Sequence, residues 1–248
     1  MVSLLKLGGS VITYKDKPLT LNLNIIEEIS RSLQSIKKPL IIVHGGGSFG
    51  HYYSVMYDMH SKPAKYDIHG VAVVRTSMVE LNNYITSVMV RYNLNPYTIP
   101  PIAFMKGKEV INDKVLEIDR IANEGLIPIT HGDVMPISDK NYYILSGDEI
   151  MSILAEILKP EKVVFALNVD GVYNNMQEKR LIEEISSSDL INIEEVKADV
   201  TGGMRRKLRE AFKIANNNLD VILVNGLKPE RIVKVLNDEP TICTVVRR

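Results

Sequence analysis

Three glycine turns in this chain stand beside lysines or a histidine, and those residue types together suit anions. The fullest is Gly45-Gly46-Gly47-Ser48-Phe49-Gly50-His51, which follows directly on the apolar run Ile41-Ile42-Val43-His44. Glycines have no Cβ, so the backbone can approach a ligand closely and turn its N–H groups inward. A helix starting there adds its N-terminal dipole, and His51 supplies a side-chain donor at the far edge. This set suits a phosphate; the plain alternative is a tight strand–helix turn with no ligand. The second turn is Lys6-Leu7-Gly8-Gly9-Ser10. A lysine inside a buried-strand pattern is costly when unpaired. Beside backbone donors, its ammonium can hold nucleotide phosphates and the oxygens of a moving phosphoryl group. Lys15, in the polar loop after Ser10, is a candidate second clamp. The third turn, Thr201-Gly202-Gly203, opens a helical run on which Lys207 lies about one turn from Gly203 and can face the same anion. Arg205, Arg206 and Arg209 read as a solvated face. Asp148, in Ser146-Gly147-Asp148, has two readings. It complements a helix dipole for under ~1 kcal/mol, or it orients Lys6 and another lysine by charge-assisted hydrogen bonds.

Other chemistries fit less well. Gly45, Gly47 and Gly50 have the dinucleotide-fingerprint spacing, but no strand ends at Asp67, where the acidic partner should stand. As a P-loop the same stretch lacks its Lys and Ser or Thr, because His51 and Tyr52 occupy those places. His44, His51, His60, His69 and His131 lack zinc-site spacing, so no metal ligand is assigned among the side chains. There is no Gly-x-Ser-x-Gly, and Cys243 has no obvious base. Phosphoryl transfer by positioning and charge stabilisation fits better than covalent catalysis.

These residues need a scaffold. The patterns predict strands at 2–7, 39–43, 97–100, 126–130, 162–168, 220–224 and 241–246. Helices are expected at 24–36, 67–92, 116–123, 149–158, 201–217 and 229–236, with hairpins over 107–115 and on either side of Asp139-Lys140. Alternating strands and helices indicate a largely parallel sheet covered on both faces, with ligand loops at the strands' C-terminal ends. On the helix at 67–92, Val71, Val74, Met78, Leu81, Ile85, Val88 and Met89 fall near one stripe. Core packing explains that stripe, and part of it, around 71–81, can wall an apolar substrate pocket.

The formal net charge of zero argues against a nucleic-acid partner. No apolar run reaches the ~18 residues of a membrane span. There is no signal-peptide layout, and a single cysteine fits a reducing cytoplasm.

Five segments now stand in a recognisable order: Lys6-Leu7-Gly8-Gly9-Ser10, Val43-His44-Gly45-Gly46-Gly47, Ser146-Gly147-Asp148, Asn168-Val169-Asp170-Gly171-Val172-Tyr173, and Thr201-Gly202-Gly203-Met204 with Lys207. Together they resemble the amino-acid kinase superfamily over nearly the whole chain. The Ser48-Phe49-Gly50-His51 ending, with His131-Gly132-Asp133-Val134 and Tyr143-Ile144-Leu145-Ser146-Gly147-Asp148, resembles the isopentenyl phosphate kinase family within it. The sequence departs from the usual pattern at Leu167-Asn168, where Thr-Asp is common, and at Tyr14, where an acidic residue is frequent.

The resemblance implies an α/β fold, an open αβα sandwich with a mainly parallel central sheet. It implies one structural domain with a phosphate-acceptor lobe at 1–160 and a nucleotide-binding lobe at 161–248. ATP, Mg²⁺, isopentenyl phosphate as acceptor and a homodimer follow from the same likeness. So do the roles. Lys6 and Lys207 hold ATP phosphates and Asp148 orients the lysines. Gly8, Gly9, Ser10, Gly46, Gly202 and Gly203 line the phosphate channel, with Asp170 on the nucleotide side. Lys15 stabilises the transition state. His51, with Gly45, Gly46, Gly132 and Gly147, takes the acceptor phosphate; the tail needs an apolar wall, and the stripe described above puts it at Val71 and Val74. The metal is held by nucleotide oxygens and water. Other acceptors, such as UMP, acetylglutamate, carbamate or fosfomycin, remain open on the same fold, as does a silent nucleotide sensor.

Overall fold

Strands buried on both faces read as continuous apolar runs, and such runs form the centre of this structure. The computed structural model describes residues 1–138, 140–174, 180–186 and 202–248. Strands β1 (Ser3–Leu7), β2 (Leu40–His44), β3 (Pro96–Thr98), β4 (Ile127–His131), β5 (Lys162–Leu167), β6 (Glu184–Ile185), β7 (Val221–Asn225) and β8 (Cys243–Val246) share one sheet. Their order is β6-β8-β7-β5-β1-β2-β4-β3. β7 and β8 run antiparallel, and the other neighbours in this sheet are parallel.

Among the described residues the α-helices are α1 (Gly9–Ile12), α2 (Leu23–Leu33), α3 (Gly47–Met56), α4 (Ile68–Arg91), α5 (Asn112–Asn123), α6 (Gly147–Leu158), α7 (Gly202–Ala215) and α8 (Pro229–Leu236). Period-two alternation sorts the strand side chains. Leu5, Leu7, Ile42, Val164 and Val224 pack with α1, α2, α3, α4 and α8. Leu4, Ile41, Val43, Phe165 and Leu223 pack with α5, α6 and α7. The result is the open αβα sandwich with a mainly parallel sheet. β1 lies between β2 and β5, so the chain's path through the sheet switches sides there. Open α/β sheets bind ligands at such a point, beyond the strands' carboxyl ends. Among the described residues, no helix is long and apolar enough to cross a membrane.

Two local expectations change. The hairpin expected over 107–115 is confined to Met105–Lys106 and Glu109–Val110. Gly107 takes a left-handed φ of +60° at its turn, and Val115 is already a buried core residue of α5. The short helix α1 was not expected, because its four residues are too few to show a period. The second hairpin forms from Asp133–Pro136 and Tyr142–Leu145; Asp139 of its turn lies outside the described residues, as does Thr201.

Candidate active site

Lys6 is the one charge planted in the central strand. In register it stands between Val43 and Phe165, and its Nζ lies 5.8 Å from the Phe165 ring centroid. Its Nζ is 3.0 Å from Asp148 Oδ1, and both side chains are only 4% exposed. Each charge is costly to bury alone, so each needs the other. Asp148 reaches this position from the first turn of α6, whose N-cap Ser146 accepts a hydrogen bond from the Glu149 amide at 3.1 Å. A Cβ at Gly147 would come 3.0 Å from the His44 carbonyl oxygen and 3.3 Å from Lys6 Cε. The glycine therefore lets α6 start against the ends of β1 and β2.

α7 brings further cations to the same carboxylate. Arg206 Nε is 3.4 Å from Asp148 Oδ2. Burial pushes the Asp148 carboxyl up, but Lys6, Lys207 and Arg206 together outweigh it and hold the group below the usual carboxylate range. Lys207 is half-buried on α7. Burial and the charges of Lys6, Arg206 and Lys15 push its ammonium down to about 8 against the pull of Asp148. Lys6, Arg206 and Lys207 thus form a cationic focus around one buried carboxylate, and the charge of exposed Lys15 reaches Lys207. Arg206 corrects the sequence reading: its side chain is largely exposed, yet it is not merely solvated.

The glycine turns after β1 and β2 meet at this focus. The Gly45 amide donates to the Leu7 carbonyl at 3.0 Å, the Gly8 amide to Ala166 at 3.0 Å, and the Gly132 amide to His44 at 3.2 Å. A Cβ on Gly9 would fall 2.5 Å from Gly47 Cα, and one on Gly45 would fall 3.8 Å from Lys6 Nζ. Gly47 has φ +50°, a left-handed conformation that glycine takes without strain. Thr13 ties the two principal turns. Its Oγ1 donates to the Gly9 carbonyl at 2.7 Å and accepts from the Ser48 amide at 2.8 Å. Nothing in the local sequence signals this residue, because both partners are set by tertiary approach.

The acceptor-side residues are more dispersed. His51 is exposed on α3, Lys15 is exposed in the loop after α1, and Ser10 is half-buried on α1. Val74 and half-buried Val71 join Met59, Val134, Tyr142 and Ile144 in a small apolar cluster apart from the two main ones. Met78 and Leu81 belong to the main core, and Met78 Sδ packs against the turn, 2.8 Å from where a Cβ on Gly50 would stand. Beside that cluster, Arg75 is 2.5 Å from Asp133 Oδ2. His44 is fully buried next to His131, with ring centroids 5.2 Å apart. Burial and the neighbouring His131 push His44 down to about 3, so it is neutral.

On the nucleotide side, Asp170 accepts from Asn225 Nδ2 at 2.8 Å and pairs with Arg231 at 2.5 Å. The Asn225 hydrogen bond and the Arg231 charge hold its carboxyl below the usual range despite some burial. These contacts tie the turn after β5 to β7 and α8. Gly202 and Gly203 form the first residues of α7. Chemically, the arrangement gathers cations against closely approaching glycine turns at the carboxyl end of the sheet, which suits a ligand with several phosphate oxygens.

Comparison with known proteins points the same way. The amino acid kinase family model matches residues 1–225. An isopentenyl phosphate kinase from Thermoplasma acidophilum is 32% identical over 249 residues, covering 98% of this chain and 99% of the relative. One from Methanothermobacter thermautotrophicus is 30% identical over 253 residues, covering 95% of each. A crystal structure of the T. acidophilum isopentenyl phosphate kinase product complex matches with a TM-score of 0.82 at 28% identity, over 100% of both chains.

Proposed function

The chain belongs to the amino acid kinase family, and from that premise we propose that it transfers the γ-phosphoryl group of ATP to isopentenyl phosphate, giving isopentenyl diphosphate and ADP. The observation that carries this reading is the buried Lys6–Asp148 pair, set where the glycine turns meet and flanked by Lys207. Full-length similarity to isopentenyl phosphate kinases supports the choice of acceptor.

The acceptor phosphate oxygen is already ionised, so the reaction needs no strong base. Its difficulty is repulsion. Two unit charges 4 Å apart cost about 4 kcal/mol at an effective dielectric of about 20. Lys6 and Lys207 lie where they offset that repulsion between the reactants, with Asp148 fixing their direction. Lys15 meets the charge that spreads over the moving group. Ser10 and the turns at Gly8, Gly9, Gly46, Gly202 and Gly203 follow the ATP phosphates, and Asp170 holds the nucleotide-side turn. His51 and the backbone at Gly45, Gly46, Gly132 and Gly147 take the acceptor phosphate. Val71 and Val74, with Val134 and Ile144, form an apolar end for the five-carbon tail. Asp148 is engaged by Lys6 and Arg206, so no side-chain ligand is assigned to a metal; Mg²⁺, when bound with the nucleotide, would neutralise phosphate charge. In this reading residues 1–160 carry the acceptor and 161–248 the nucleotide, and the protein is a cytoplasmic homodimer.

The deciding experiment measures ADP release from Mg-ATP with a panel of small phosphate monoesters and amino acids. Isopentenyl phosphate is the expected best acceptor. A clear preference for UMP or an amino acid overturns the assignment.

Two variants test the roles separately. His51→Ala is expected to raise KM for the acceptor and lower kcat, for a loss of about 10–100-fold in kcat/KM, with KM for ATP within about twofold. Unchanged acceptor kinetics would refute its role. Lys207 gives a pH signature. In the free protein it is protonated below about 8 and neutral above. Mg-ATP affinity is therefore expected to fall as pH rises through that value, because the attracting charge is lost. Lys207→Arg keeps its charge and should flatten the profile. Calorimetric titration between about pH 7 and pH 9.5 reads this directly.

A further inference from the structure

Asp148 and Ser152 are one turn apart on α6, and Arg206 and Glu210 are one turn apart on α7. The two helices start at the site and pack along each other. Their first cross-contact is Arg206 to Asp148. Their second is Ser152 Oγ, which donates to Glu210 Oε2 at 2.8 Å and also lies 3.4 Å from the Glu210 carbonyl oxygen. Both contacts thus fall at the same i, i+4 interval on each helix, about 6 Å apart along the axes.

Glu210 is an expensive residue for that place. It is 7% exposed, where an apolar side chain would pack at no desolvation cost. Its carboxylate is kept charged company by Lys213, whose Nζ donates to the two oxygens at 2.8 and 3.1 Å. Glu149, the neighbour of Asp148, also feels the Glu210 charge. Apolar helix faces can slide or rotate past one another with little change in contact area. A hydroxyl–carboxylate hydrogen bond is directional and fixes one arrangement.

We propose that the Ser152–Glu210 bond is a register pin that sets the rotation and height of α7 on α6, so that Lys207 reaches the nucleotide phosphates beside Asp148. Ser152 and Glu210 are positioning residues acting through Lys207. The inference rests on the reading of Lys207 as a phosphate-holding residue. A lysine displaced by about 1 Å can lose up to about 10²-fold in effect.

The test compares Ser152→Ala, Glu210→Ala, Glu210→Gln, Lys207→Ala and the Lys207→Ala/Glu210→Ala double variant, with KM and Kd for Mg-ATP and KM for the acceptor. Ser152→Ala and Glu210→Ala are expected to weaken Mg-ATP binding about 5–20-fold and leave acceptor KM within about twofold. Glu210→Gln keeps an oxygen for Ser152 and should stay within about threefold of the parent. In the Lys207→Ala background, Glu210→Ala should add nothing, since its effect passes through the missing ammonium. Full additivity, or equal losses on both substrates, overturns the pin. If Lys207→Ala weakens ATP binding and neither Ser152→Ala nor Glu210→Ala does, the pin alone fails. If Lys207→Ala leaves ATP binding intact, the role of Lys207 and the pin fail together. Should Glu210→Ala not fold, Ser152→Ala, a milder change, decides the matter by itself.

Discussion

Asp148→Asn is expected to lower kcat by about 10³-fold or more and to cost about 3–5 kcal/mol of stability. The two effects have one origin. Lys6 and Asp148 are nearly inaccessible to water and 3.0 Å apart. Asparagine keeps the shape of the side chain and removes its charge. Lys6 is then a buried cation without its anion, and Lys207 loses the carboxylate that favours its charged form. Neither ammonium is aimed as before, so stabilisation of the moving phosphoryl group is lost. The pH dependence of stability follows with a definite sign. The native Asp148 carboxyl lies below its ordinary value, so its contribution is complete above the unfolded value of about 4 and is lost as pH falls through the native one. The variant lacks that acid-side loss. Steady-state kinetics and denaturant melts at neutral and acid pH check both parts. Turnover within tenfold of the parent protein would refute the role.

Gly9→Ala is expected to reduce turnover about 10²-fold and to destabilise the protein by about 1–3 kcal/mol. The added methyl would lie 2.5 Å from Gly47 Cα and 3.4 Å from the Gly46 carbonyl carbon. Those neighbours are backbone and cannot swing away as a side chain would. The turns after β1 and β2 must part, and Thr13 can no longer hold the Gly9 carbonyl and the Ser48 amide together. The spacing between Lys6 and Gly45 opens with them. Losses in both kcat and melting temperature are the expected result, while parent-like kinetics would show that the close approach is dispensable.

Much of this site is legible from residue order alone. Lys6, the glycine turns, Asp148 and Lys207 carry their meaning locally, in a charge against an apolar run or a glycine at a strand's end. The sheet was readable for a similar reason, since strands such as 39–43 and 162–168 are short apolar stretches bounded by breakers. What escaped notice depends on distant partners. Arg206 looks like any exposed arginine until α7 is laid on α6. Thr13 acquires its role only when Gly9 and Ser48 arrive on either side of it. Asn225 and Arg231 likewise matter through Asp170. Helical spacing on α4 could not separate Val71 and Val74 from Met78 and Leu81, because a stripe reports which side is apolar and not what covers it. α5 starts at Asn112, earlier than its pattern indicates, because Gly107 signals a turn without saying how soon a helix follows.

The position of β1 has a bearing on how the chain acquires its shape. Its residues pair with 40–44 on one side and with 162–166 on the other. During synthesis the second neighbour emerges long after the first, so one edge of the earliest strand waits exposed. Contacts of such separation make folding slow and leave nascent chains open to aggregation. A fragment ending near residue 160 would carry that raw edge permanently, so self-association is its expected fate and independent folding of the N-terminal portion is not.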